Sequence, residues 1–103
     1  MDFYIKWDFK VIKNGIISKT LLNKNNLNSH KEIIKLKNNI NYEIKTLETI
    51  NLPKNLSLEI NNKFVRIIST KPPEATIIED EKLVEILKQL FKELWIKAEE
   101  LVI

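Results

Sequence analysis

Histidine occurs once in this sequence, at His30, glycine once, at Gly15, and cysteine not at all. Those counts decide which chemistries are open. Without a thiol there is no cysteine nucleophile, no disulfide and no thiolate metal site. A serine triad needs an imidazole base. His30 lies beside Ser29 in a polar stretch, the setting of a capping-loop residue. No His, Asp or Glu spacing suits zinc, and one glycine cannot build a loop that lets backbone amides cradle a phosphate. Carboxylates cluster at Glu79-Asp80-Glu81 and at Glu99-Glu100. An acid and base pair needs two carboxylates in contrasting environments, whereas both clusters fall at the solvated ends of a helical pattern. No catalytic, cofactor-binding or metal-binding residue is assigned, and a small enzyme or a carrier of an apolar ligand ranks third among the functions considered.

Binding is the chemistry that the composition leaves. Residues 10–37 hold seven lysines, Lys10, Lys13, Lys19, Lys24, Lys31, Lys35 and Lys37, against the single acid Glu32. Such a stretch attracts nucleic acid or an acidic partner, and it also serves as the solvated face of strands whose edges lysine protects from wrong pairing. Arginine, the usual companion in nucleic-acid sites, occurs only at Arg66. Aromatic and basic residues interleave once, in Tyr4-Ile5-Lys6-Trp7-Asp8-Phe9-Lys10. Base stacking needs the rings to point outward, but Phe3, Trp7 and Phe9 share the phase that a strand would bury.

These residues must be positioned by a long helix and the strands before it. Between 79 and 103, Leu83, Ile86, Leu87, Leu90, Phe91, Leu94, Ala98 and Leu101 recur at three- and four-residue steps. The spacing predicts an amphipathic helix over 80–101, roughly 33 Å long, with Asp80 as N-cap and early acids suiting the helix dipole. At 100° per residue, Leu83, Leu87, Leu90, Leu94 and Leu101 centre the apolar face. Val84, Phe91, Trp95 and Val102 extend one flank, which is the expected contact for another protein chain, most simply a second copy in a homodimer.

Upstream, residues 1–13 alternate apolar and polar with a period of two. Asn14-Gly15 then marks a hairpin into 16–22, and a three-residue loop keeps the two apolar faces together. Residues 30–38 read either as a short helix opened by a Ser29-to-Glu32 capping box or as a strand over 32–37. The strand is preferred for its β-branched content, turning at Asn38-Asn39 into a strand over 40–50. Leu56, Leu58 and Ile60 alternate, Asn61-Asn62-Lys63 turns the chain into 64–70, and a loop of Asn62-Lys63 would set Glu59 opposite Arg66. Pro72 and Pro73 end that strand.

The expected architecture is therefore α+β: one domain over 1–103, an antiparallel sheet of about six strands, a meander of hairpins, packed against one long C-terminal helix. A sheet closed by a C-terminal helix carrying Trp95 resembles pleckstrin-homology-type domains, although the basic phosphoinositide motif is missing from the first hairpin. The hairpin and helix of residues 56–102 also look like the small dimerising subunit of the KEOPS tRNA-modification complex, without its Arg and Asn-Ser helix signature. Both resemblances imply binding rather than catalysis. No apolar run approaches the ~20 residues of a membrane span, and the first residues are strand-like, so a cytoplasmic protein with no membrane partner is expected. The leading expectation is a non-catalytic assembly or regulatory subunit. The alternative is a nucleic-acid-binding module using residues 10–37.

Overall fold

The computed structural model describes residues 17–35 and 41–101. Among these residues six strands make one sheet: β1 (Ser18–Asn23), β2 (Tyr42–Leu47), β3 (Leu56–Ile60), β4 (Val65–Thr70), β5 (Pro73–Ile78) and β6 (Glu99–Glu100). Their order across the sheet is β5-β4-β3-β1-β2-β6. A 3-10 turn at Leu27–His30 leads into the short α1 (Lys31–Ile34), and the long helix α2 (Glu81–Lys97) lies between β5 and β6 in sequence. The class is α+β, as expected. The strand over 1–13 and its hairpin register lie outside the described residues.

The β3–β4 hairpin follows from its sequence. Asn61 accepts backbone N–H bonds from Lys63 at 2.8 Å and Phe64 at 2.9 Å through its side-chain oxygen, an Asx turn. The side-chain amide of the same residue donates to Ser18 Oγ at 3.1 Å, tying the turn to β1. This register sets Glu59 opposite Arg66 and Ile60 opposite Val65.

Two expectations change. β1 and β2 run parallel, with Ser18 opposite Tyr42 and Asn23 opposite Leu47, so the sheet is mixed rather than a pure meander. A parallel pair needs a crossover connection, and α1 with the preceding turn lies on that crossover. Residues 31–34 are therefore helical, where a strand over 32–37 was the preferred reading. β4 ends at Thr70, before Pro72 and Pro73, as expected, but Pro73 then begins a further strand, β5, at the edge of the sheet among the described residues, where a missing N–H is tolerated.

Each sheet face is apolar. On one side Leu21, Leu47, Ile60 and Val65 pack with Val84 and Phe91 of α2. On the other, Leu22, Tyr42, Ile44 and Ile68 pack with Ile33 of α1 and with Leu101. Burying a side chain such as Phe91 stabilises the fold by roughly 1.5–3 kcal/mol. Helix α2 starts as the sequence predicts, Asp80 accepting the Leu83 N–H at 3.0 Å. It stops earlier than position 101, because Ala98 is extended and Glu99–Glu100 pair with Thr46 and Lys45 of β2.

Candidate macromolecular interface

Helix α2 is turned relative to the expected orientation. Val84 and Phe91, two members of the expected partner-binding flank, are 4 % exposed and dock the helix on its own sheet. Leu83, Ile86 and Leu90 are 51 %, 58 % and 59 % exposed. The physical reason is the sheet surface, where Leu21, Ile60 and Val65 receive the ring of Phe91 and the branched Val84. The face left over carries Leu83, Ile86 and Leu90; of the expected centre, Leu87 and Leu94 do pack partly buried against the sheet cluster, whereas Leu83 and Leu90 do not. Val102 lies outside the described residues. Leu101, expected at the centre of the helix face, is instead buried after β6 in the opposite cluster.

Trp95, the remaining member of the flank, is half-buried and stacks on Phe91 with ring centroids 5.6 Å apart. Two ammonium groups lie against its ring, Lys19 Nζ at 5.4 Å and Lys45 Nζ at 4.8 Å from the centroid. Lys19 projects from β1 and Lys45 from the neighbouring β2, so the parallel pairing of those strands assembles the cluster. Cation–π attraction of this kind contributes about 0.5–1 kcal/mol at accessible positions. Beside it opens a cleft lined by Tyr42, Glu43, Ile44, Lys45, Trp95, Glu100 and Leu101. Glu100 approaches Lys45 at 3.8 Å across the rim. Lys45 was not singled out from the sequence. Its signal was present but silent, because two strands widely separated in sequence had to be known as neighbours first.

The basic stretch is only partly gathered. Lys19 belongs to the tryptophan cluster. Lys24 is committed to Glu99 at 2.8 Å, and that hydrogen bond together with the carboxylate charge raises its pKa. Lys31 and Lys35 are exposed at α1. Lys10, Lys13 and Lys37 lie outside the described residues. Glu99 and Glu100, expected at a solvated helix end, lie in β6 instead; both stay exposed, and each meets a lysine, Glu99 with Lys24 just after β1 and Glu100 with Lys45 of β2.

His30 stands at the N-cap position of α1, as its capping-loop setting suggests, but it is fully buried, its side chain makes no cap bond, and neither ring nitrogen has a hydrogen-bond partner among the described residues. Burial alone lowers its pKa. Among the described residues, no three His, Asp or Glu side chains gather into a group that could hold a metal ion. No helix among them is long and apolar enough to cross a membrane.

No protein-family model matches this chain, and no curated protein matches it. Among solved structures it is similar to TrmBL2, described as an archaeal chromatin protein that shows a novel mode of DNA binding. The two share 25 % sequence identity with a TM-score of 0.58. The match covers 90 % of this chain and spans 38 % of the TrmBL2 chain.

Proposed function

We propose that this chain is a non-catalytic binding module of a DNA-associated assembly, acting in the cytoplasm or nucleoid through contacts with other macromolecules. The observation that carries this reading is the likeness to TrmBL2, a DNA-binding chromatin protein, over 90 % of the chain. Two features suit the role. The apolar stripe of α2 favours a protein, since clustered large apolar side chains in water mark interaction sites. The lysine-rich sequence of residues 10–37, exposed at Lys31 and Lys35, favours phosphates, because each contact with the DNA backbone releases condensed counterions.

Titration of a labelled DNA duplex at a series of salt concentrations tests the DNA contact. The expected result is binding at low salt that weakens steeply as salt rises, and that weakens further in Lys31→Glu and Lys35→Glu. Absence of binding at the lowest salt overturns a direct DNA contact. Binding that ignores salt overturns the lysine mechanism.

A further inference from the structure

We infer that the exposed stripe of α2 packs against the same stripe of a second copy, antiparallel, about a twofold axis crossing the helix near Lys88. This names the occupant of one surface of the binding module and rests on that reading only to that extent. Leu83, Ile86 and Leu90 stand more than half exposed in successive turns. Each helix turn of this kind adds a side chain to one continuous face, and a face so apolar is seldom left in water.

The charges beside the stripe say what covers it. Lys82 and Glu93 lie on the same flank, six residues before Lys88 and five after it. Ile86 and Leu90 lie two residues to either side of that centre. Glu79, Asp80 and Glu81 crowd the beginning of α2, and Lys97 closes its end. An antiparallel twofold partner sets Lys82 against Glu93 twice, the acidic first turn against Lys97 twice, and Ile86 against Leu90 at the middle. A parallel partner brings the two acidic first turns side by side, separates Lys82 from the partner's Glu93, and aligns the two helix dipoles unfavourably.

Among the described residues, Lys82, Glu93 and Lys97 form no ion pair within their own chain. They are available to a partner. A stripe whose pattern inverts its charge when read backwards matches itself, the property that an isologous interface requires. An unrelated partner needs no such symmetry.

Sedimentation velocity with circular dichroism on the same samples tests the inference. The wild type should sediment as a dimer. Ile86→Lys and Leu90→Lys should be monomers with unchanged dichroism, because each strands a charge at the centre of the contact without touching the core. Should either lysine variant lose its dichroism, Ile86→Ser and Leu90→Ser carry the same expectation. Lys82→Glu alone should raise the dimer dissociation constant by up to about tenfold, and Lys82→Glu with Glu93→Lys should restore it.

A wild-type monomer at the highest soluble concentration overturns the inference, even where the DNA titration succeeds. A dimer that survives the stripe variants overturns it as well, and failure of the double reversal overturns the antiparallel register. Loss of DNA binding with an intact dimer sinks the DNA reading alone.

Discussion

Glu59 on β3 lies directly across the ladder from Arg66 on β4, and the two form an ion pair with 2 % and 1 % of their surfaces exposed. The only arginine of the chain is thus sealed inside the sheet rather than offered to a ligand. Tyr42 joins them, donating its hydroxyl to Glu59 at 3.3 Å while accepting from Thr20 at 2.8 Å. A buried pair of this kind contributes little net stability, because desolvation offsets the Coulomb attraction. Removing one partner is another matter. Arg66→Met should cost about 3–5 kcal/mol in urea unfolding, since the Glu59 carboxylate is left in a dry site. Adding Glu59→Leu should recover most of that loss. If the double variant is no more stable than Arg66→Met, the carboxylate is not the source of the cost.

The rotation of α2 makes a paired prediction. Phe91→Ala should destabilise the fold by about 3–5 kcal/mol through the cavity it leaves at the sheet. Leu90→Ala, one residue earlier and facing outward, should change monomer stability by no more than about 0.5 kcal/mol. Chemical unfolding at low protein concentration separates the two. Equal losses would place the helix in the orientation that the leucine spacing suggests.

The side chain of buried Asn61 makes three bonds, to Ser18, Lys63 and Phe64. Asn61→Ala should cost about 1–3 kcal/mol, because buried backbone donors lose their acceptor. Asn61→Asp keeps the two backbone bonds and should lose less at neutral pH. Thermal or urea midpoints of the two variants check the order.

His30 gives the fold a pH dependence. Burial lowers its folded-state pKa below the ordinary value of 6.5, so the unfolded chain binds the proton more readily. Above that ordinary value the imidazole is neutral in both the folded and the unfolded chain, and burial of its charge costs nothing. Stability should fall as the pH drops from about 6.5 through the lowered folded-state value. Urea midpoints measured across that range should decline in the wild type and decline less in His30→Leu. Parallel curves for the two proteins would assign the acid sensitivity elsewhere.

The β3–β4 hairpin was legible from the sequence because its information is local. Leu58 and Ile60 alternate up to an asparagine turn, and a loop of Asn62-Lys63 is enough to set Glu59 opposite Arg66, the register observed. The N-cap at Asp80 was legible for the same reason. Helix periodicity, however, fixes the width of an apolar face and not which part of it touches the sheet. With Leu83 and Leu90 on one side and Val84 and Phe91 on the other, the shape of the sheet surface decides. The parallel pairing of β1 and β2 carries no local mark at all, and the Lys19–Trp95–Lys45 cluster depends on it.

The order of the strands has a kinetic consequence. β3, β4 and β5 follow one another in sequence and pair as neighbours, so only short loops must close to build them. β2 and β6 meet across the whole span from Lys45 to Glu100 and share just two residue pairs. Closing longer loops costs more chain entropy before any contact compensates, so the three-strand ribbon should form early and the β6 edge last. In native-state amide exchange, the hydrogens of β4 should then open only with the whole molecule, while those at Glu99 and Glu100 exchange through fraying that leaves the rest of the sheet folded.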